Sequence, residues 1–193
     1  ILGELGALAA GRQGEPIRVL DVGTGAGDLP RAMLRWADRR GVSLSVTGVD
    51  LHAQALALAR ERTGSDGRVA WVELDARSLA ERFERGSFDV VHSSLFVHHL
   101  REPDVLPVLR GMVWCAGERV VWNDLVRSRL VRAGVWWLTR PLPRIVRHDA
   151  VVSVEAGFTA SEARSLAAAA GLGEVMYRRR LGYRFVLSGR PER

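Results

Sequence analysis

Two periodicities alternate along this chain. Residues 17–22, Ile-Arg-Val-Leu-Asp-Val, form a short apolar run that leads straight into glycines, the pattern of a buried strand. From Asp28 to Gly41 the spacing becomes helical, with Leu34 and Trp36 on the apolar face, and the Asp28 side chain is expected to cap that helix. Ser43 to Val49 is a β-branched run ending at Asp50, and Ala53 to Arg62 has strong helix propensity. A third strand follows at 68–74, a short helix at 77–83, a fourth strand at 88–92, a helix from Pro103 to Trp114, and a fifth strand from Glu118 to Trp122 that ends at Asn123 and Asp124. Residues 1–10 already carry a helical apolar pattern. Parallel strands need crossover connections, so five strand–helix alternations predict a Rossmann-like, doubly wound α/β sheet.

After Asp124 the rhythm breaks. Residues 125–157 mix Arg, aromatic residues, Pro141 and Pro143, and read as a helical lid inserted at one edge of the sheet. Alternation resumes with a helix over 159–170, opened by the capping pattern Thr159-Ala160-Ser161-Glu162 and closed by Gly171. Runs at 174–180 and 183–188, separated by Leu181-Gly182, predict an antiparallel edge hairpin that brings the mostly parallel sheet to seven strands. At 193 residues and 47% hydrophobic, the chain supports one core, so a single domain over 1–193 is expected. The first residue is not Met and the helical pattern is already under way there, so the reading allows an N-terminal extension carrying part of a substrate lid.

Composition adds three constraints. No apolar run is long enough to span a bilayer and no leader pattern is visible, which reads as a cytoplasmic protein without a transmembrane segment. The lone Cys115, beside Trp114, excludes an intrachain disulfide and suits a core thiol. The net charge of +6 invites a nucleic-acid partner, but all 28 basic residues are Arg and Asn occurs once, a compositional bias that weakens the inference. The distribution is more telling. Arg127, Arg129, Arg132, Arg140, Arg144 and Arg147 fall between Leu125 and His148 with no acid among them.

Chemistry is expected where the first strand turns into its helix, because ligands of open α/β sheets bind outside the carboxyl ends of the strands. There the sequence is Asp21-Val22-Gly23-Thr24-Gly25-Ala26-Gly27. Glycines permit a sharp turn and close approach of backbone amides to a ligand. A dinucleotide fingerprint needs a small residue three positions after the second glycine, whereas Asp28 stands there. Asp50, at the end of the second strand, can accept hydrogen bonds from both hydroxyls of a ribose. Asp75, at the end of the third, can accept one from an adenine amino group.

The segments VLDVGTGAGDLP (19–30), VTGVDLHAQALALAR (46–60), VELDARSL (72–79) and FDVVHSSLFVHHL (88–100) together resemble the class I S-adenosylmethionine (SAM)-dependent methyltransferases. The resemblance implies SAM as cofactor. It implies Asp21 and Gly23 at the methionine end, Thr24 and Gly25 closing the loop, and Asp50 on the ribose. It also implies Leu51, Asp75 and Ala76 at the adenine and Ser93 near the amino-acid end. NDLVRSRL (123–130) and residues 147–172 look more loosely like bacterial enzymes methylating quinone precursors or polyketide-type phenols. In that pattern an Arg occupies the place of Ala156, so its contact does not carry over.

SAM carries an activated methyl group, so alignment of the acceptor is the main requirement and catalytic side chains are few. A phenol or enol acceptor must still lose a proton, a task suited to a histidine. His98 and His99 follow the fourth strand, with His99 slightly preferred, and Asp124 ends the fifth strand at the same edge. Each also has a structural reading, as packing or capping. Trp136 and Trp137, with His148, are taken as lid residues facing an aromatic or lipophilic small-molecule acceptor; core packing of the lid is the competing reading. No spacing demands a metal. Three other readings remain: an RNA or DNA methyltransferase using the cationic insertion, an interfacial helix making peripheral contact with anionic lipid, and a NAD-dependent oxidoreductase of the same fold class. No signature of oligomeric state is visible.

Overall fold

The structure is a computed structural model describing residues 1–10, 12, 15–141 and 143–192; the side chains of residues 145, 147 and 149, including Arg147 of the cationic segment, lie outside the description, as does residue 142 of the insertion. After α1 (Leu2–Ala9), strands β1 (Ile17–Val22), β2 (Leu44–Asp50), β3 (Val69–Glu73), β4 (Phe88–Ser94) and β5 (Ala116–Leu125) alternate with helices. These are α2 (Asp28–Arg40), α3 (Ala53–Thr63), a 3-10 turn (Ala76–Ser78) running into α4 (Leu79–Arg82), and α5 (Glu102–Cys115). A second 3-10 turn, Val97–His99, lies between β4 and α5. The remainder comprises α6 (Arg129–Leu138), α7 (Arg144–Ala156), α8 (Ala160–Ala169), β6 (Leu172–Arg180) and β7 (Arg184–Pro191).

The strands form one sheet in the order β3-β2-β1-β4-β5-β7-β6. β1 to β5 are parallel, and β7 runs antiparallel to both neighbours. This is the seven-stranded, doubly wound sheet with an edge hairpin that the alternation predicts. Strand order reverses between β1 and β4, whose register pairs Asp21 with His92. A crevice opens at such a reversal because the crossovers after β1 and β4 leave to opposite faces.

Side-chain alternation along the strands divides the core in two. Ile17, Val19, Val90 and Val121 pack with Leu5 of α1 and Met33, Leu34 and Trp36 of α2. Leu20, Val22, Val91, Val120 and Trp122 pack with α5 and α8, including Leu109, Met112, Ala163 and Ala167. The predicted cap of α8 forms as a full capping box between Thr159 and Glu162. No helix among the described residues is long and apolar enough to cross a membrane.

Helix α2 corrects one expectation. Asp28 is its first residue and does not cap it; the cap position is Gly27, in the left-handed conformation and without a side-chain hydrogen bond. Already helical, Asp28 directs its carboxylate along the surface to Arg31 at 2.6 Å and Arg62 at 3.5 Å. The insertion forms two helices, α6 and α7, packed on each other.

Phe185 on β7 is fully buried, edge-on to Trp122 and stacked on Tyr177. Truncation removes a large apolar volume where three strands and α8 converge. Phe185→Ala is therefore expected to lower unfolding free energy by about 3–5 kcal/mol, measured by urea denaturation.

Candidate active site

The turn after β1 is shaped by what surrounds its glycines. Gly23, Gly25 and Gly27 all have positive φ, at 71°, 54° and 73°. A Cβ on Gly23 would lie 2.2 Å from the Phe96 ring, and one on Gly27 would lie 2.5 Å from Trp71. A Cβ on Gly25 would meet nothing within 4 Å. Two of the glycines therefore accommodate aromatic rings, and the third leaves its backbone facing open space. Trp71 of β3 also covers Gly48 in the middle of β2, which explains a glycine inside a strand.

Beneath the turn lies a buried polar cluster. The Asp21 carboxylate accepts from the Thr24 hydroxyl at 2.7 Å and sits 2.6 Å from Nδ1 of His92. All three side chains are buried. Asp21 and Thr24 thus brace the loop from below, and neither lines the cavity above it. Ser93 is also buried, donating from Oγ to the Val22 carbonyl at 3.0 Å, so it pins β4 to β1. The resemblance implies Asp21 and Ser93 near a ligand's amino-acid end and Thr24 closing the loop; the structure gives all three side chains intramolecular partners.

A cavity of about 600 Å³ opens over the strand ends, lined by Gly23, Asp50, Leu51, Asp75, Ala76 and His99, together with Leu95, Phe96 and Leu100. Five of the nine residues expected at a cofactor thus converge there. Asp50 accepts from the backbone N–H of Gly25 at 2.8 Å and of His52 at 2.9 Å, tying β2 to the turn. The exposed His52 ring, 3.1 Å from Asp50, is the partner a ligand hydroxyl can displace. Asp75 caps the first 3-10 turn and pairs with Arg77, whose side-chain hydrogen bonds hold the carboxyl below its ordinary value. Positive φ at Leu95, 52° for a non-glycine residue, bends the wall of the cavity; its N–H donates to the Asn123 carbonyl at 2.9 Å. Leu95, Phe96, Trp71 and His92 are site-shaping residues that sequence reading missed. Only the in-strand Gly48 carried a signal, pointing to Trp71.

The two histidines separate in role. His98 is buried, its Nδ1 2.5 Å from Oδ1 of the fully buried Asp124. Asp124 also accepts from the backbone N–H of Leu125 at 2.9 Å and from Trp122 Nε1 at 3.2 Å. With donors on every side the carboxylate is an acceptor, which assigns the shared proton to Nδ1 of His98. His99 lines the cavity instead, and burial, with His98 at a ring separation of 4.0 Å, depresses its pKa below 6.5. A second cavity of about 580 Å³, lined by His98, Leu100, Val105, Arg127, Phe158 and Glu162, adjoins the first. The His98–Leu100 segment forms the wall between them.

Trp136, Trp137 and His148 lie elsewhere. The tryptophans line a groove of about 690 Å³ between α6 and α7, and His148 stands exposed beside Trp136. That groove is the roomier of the three, but its one acid, Glu155, is already paired with Arg132. The glycine turn and the acids of β2 and β3 do not reach it. Among the described residues no group of three or more His, Cys, Asp and Glu is placed to hold a metal.

A family model described as a methyltransferase domain matches residues 19–116. Two curated relatives are named ubiquinone biosynthesis O-methyltransferase. The one from Thiobacillus denitrificans is 30% identical over 66% of this chain and 54% of its own length, and the one from Ralstonia nicotianae is 33% identical over 66% and 52%. The chain spans about half the length of these relatives. Among solved structures, the CMeT domain of the citrinin polyketide synthase superposes with a TM-score of 0.72 at 17% identity, over 94% of this chain and 48% of that one. The plantazolicin methyltransferase BamL gives 0.72 at 13%, over 93% and 78%.

Two outcomes follow from the geometry. Gly23→Ala forces both a strained φ and a clash with Phe96, and is expected to abolish ligand binding in a calorimetric titration while lowering the melting temperature. Because His99 is held neutral by burial, the unfolded chain binds more protons just below pH 6.5 than the folded one. Stability from this group is full above that pH and is lost as pH falls; melting temperatures across pH 7 to 5 are expected to fall less in His99→Gln than in the parent.

Proposed function

The chain belongs to the methyltransferase-domain family, and on that premise we propose that it transfers a methyl group from SAM to a small acceptor, an aromatic or lipophilic hydroxyl or an activated carbon. The observation that carries the reading is the cavity joining the Gly23 turn to Asp50, Leu51, Asp75 and Ala76 at the point where strand order reverses. Its volume suits a nucleoside with an amino-acid arm. The open space at Gly25 and the displaceable His52 on Asp50 fit the loop and ribose contacts that such a ligand requires. The neutral state of His99 keeps a second positive charge away from a cationic ligand.

Bound SAM supplies a methyl group already activated by its sulfonium. The chain's own residues hold the acceptor and take its proton. Asp124 orients the His98 ring through Nδ1, and Nε2 receives the proton from the acceptor's hydroxyl or acidic carbon at the boundary where Leu100 lines both cavities. Phe158, Leu100 and Val105 give the second cavity an apolar part beside Glu102, Arg127 and Glu162, which favours an aromatic or lipophilic acceptor. The relatives include both ubiquinone biosynthesis O-methyltransferases and a citrinin polyketide synthase, which supports acceptors of phenol or enol acidity. Arg127 and Arg132 are paired with Glu162 and Glu155, which weakens the reading of a nucleic-acid acceptor at these two positions.

Asp50→Ala is expected to weaken SAM binding roughly ten- to hundredfold by calorimetry, the loss of a charge-assisted hydrogen bond. His98→Asn puts an amide N–H at the place of Nδ1, keeping a donor to Asp124, and removes the base. With a phenolic acceptor it is expected to lower kcat by about 10² or more while SAM affinity stays within about twofold. A parent-like kcat across the pH range would exclude His98 as base.

A further inference from the structure

Helix α6 has no buried residue, although most of its side chains are apolar. At helical spacing, Leu130, Gly134, Trp137 and Leu138 fall on one face, and all are exposed: Leu130 by 84%, Trp137 by 64% and Leu138 by 80%. The adjoining strip, Val131, Val135 and Thr139, is half-buried. Arg129 and Arg140 border the exposed stripe, and Arg144 begins the next helix. Among the described residues none of these three forms an ion pair. No acid occurs on α6.

We propose that this face docks on an anionic lipid surface, with α6 lying in the plane of the interface. Leu130, Trp137 and Leu138 enter the acyl boundary while Arg129, Arg140 and Arg144 meet headgroup phosphates, their aliphatic stems lying along the same apolar stripe. Charge selects this occupant over a second copy of the chain. A two-fold contact through α6 would set its Arg border against the same positive border of the partner. Nucleic acid would satisfy the arginines but leave the leucines without an apolar partner. The helix is too short to span a bilayer, so the contact is peripheral. Docking here is independent of the methyl-transfer reading, and binding alone tests it.

The experiment is co-sedimentation of the purified protein with vesicles of phosphatidylcholine alone and of phosphatidylcholine with phosphatidylglycerol, at low and high salt. Binding is expected only to the anionic vesicles, weakening as salt rises. Leu130→Glu with Leu138→Glu is expected to lower the partition coefficient roughly tenfold or more. Arg129→Gln with Arg144→Gln is expected to remove the preference for phosphatidylglycerol. None of these positions is buried, so melting temperatures should match the parent and separate lost docking from lost folding. Absence of binding to anionic vesicles, or equal binding by the Leu130→Glu, Leu138→Glu protein, would overturn the proposal. Self-association or RNA binding abolished by the same variants, without vesicle binding, would overturn it in favour of those partners.

Discussion

At the carboxyl end of β1 the backbone must reverse within a few residues between two aromatic rings, and that steric limit organises the site. Phe96 occupies the space a Gly23 side chain would need, and Trp71 does the same at Gly27. The turn is thereby held from above by the β4–α5 connection and from the side by β3. From below, Asp21 joins it to His92 on β4 through a pair closed off from solvent. Asp50 then reaches across to the Gly25 amide, so the carboxylate of β2 has its position set by the same loop. A ligand meets a surface whose polar groups are already oriented, which reduces the ordering cost of binding.

The strand–helix rhythm was legible because burial on a parallel sheet imposes a local period on the sequence. That Asp50 and Asp75 border the cavity was legible for a related reason: topology puts every strand end of a parallel sheet on one rim, so an acid just past a strand lies on that rim wherever the strand stands in the order. Asp21 and Ser93 obey the same rule only in part. They end up on the rim, yet their side chains turn inward because Thr24, His92 and the Val22 carbonyl offer them partners. The pairing of His98 with Asp124 joins residues 26 apart through the register of β4 and β5, and no local pattern announces it. Asp28 shows the limit of local rules in another way. A left-handed glycine immediately before it moved the helix start by one residue, and the expected cap became a surface ion-pair partner.

The insertion separates two demands that sequence reading had merged. Apolar lining beside His98 comes from Leu100 just before α5, Val105 on α5 and Phe158 just beyond α7. Trp136 and Trp137 belong to an outward-facing hairpin with its own groove. A Trp-rich segment satisfies a hydrophobic pattern equally well by lining a pocket or by presenting a surface, and only the packing of α6 on α7 distinguishes them. The two arrangements are compatible: a lipophilic acceptor held by His98 and a surface suited to anionic lipid would draw on the same phase.

The cavity over the glycine turn is the proposed SAM site. A crystal structure with S-adenosylhomocysteine tests this most directly. The homocysteine arm is expected against Gly23 and Gly25, the ribose hydroxyls within hydrogen-bond reach of Asp50 with the His52 ring displaced, and the sulfur directed towards the His98 cavity. Ligand density confined to the α6–α7 groove, or an unchanged Asp50–His52 contact with ligand bound elsewhere, would contradict it.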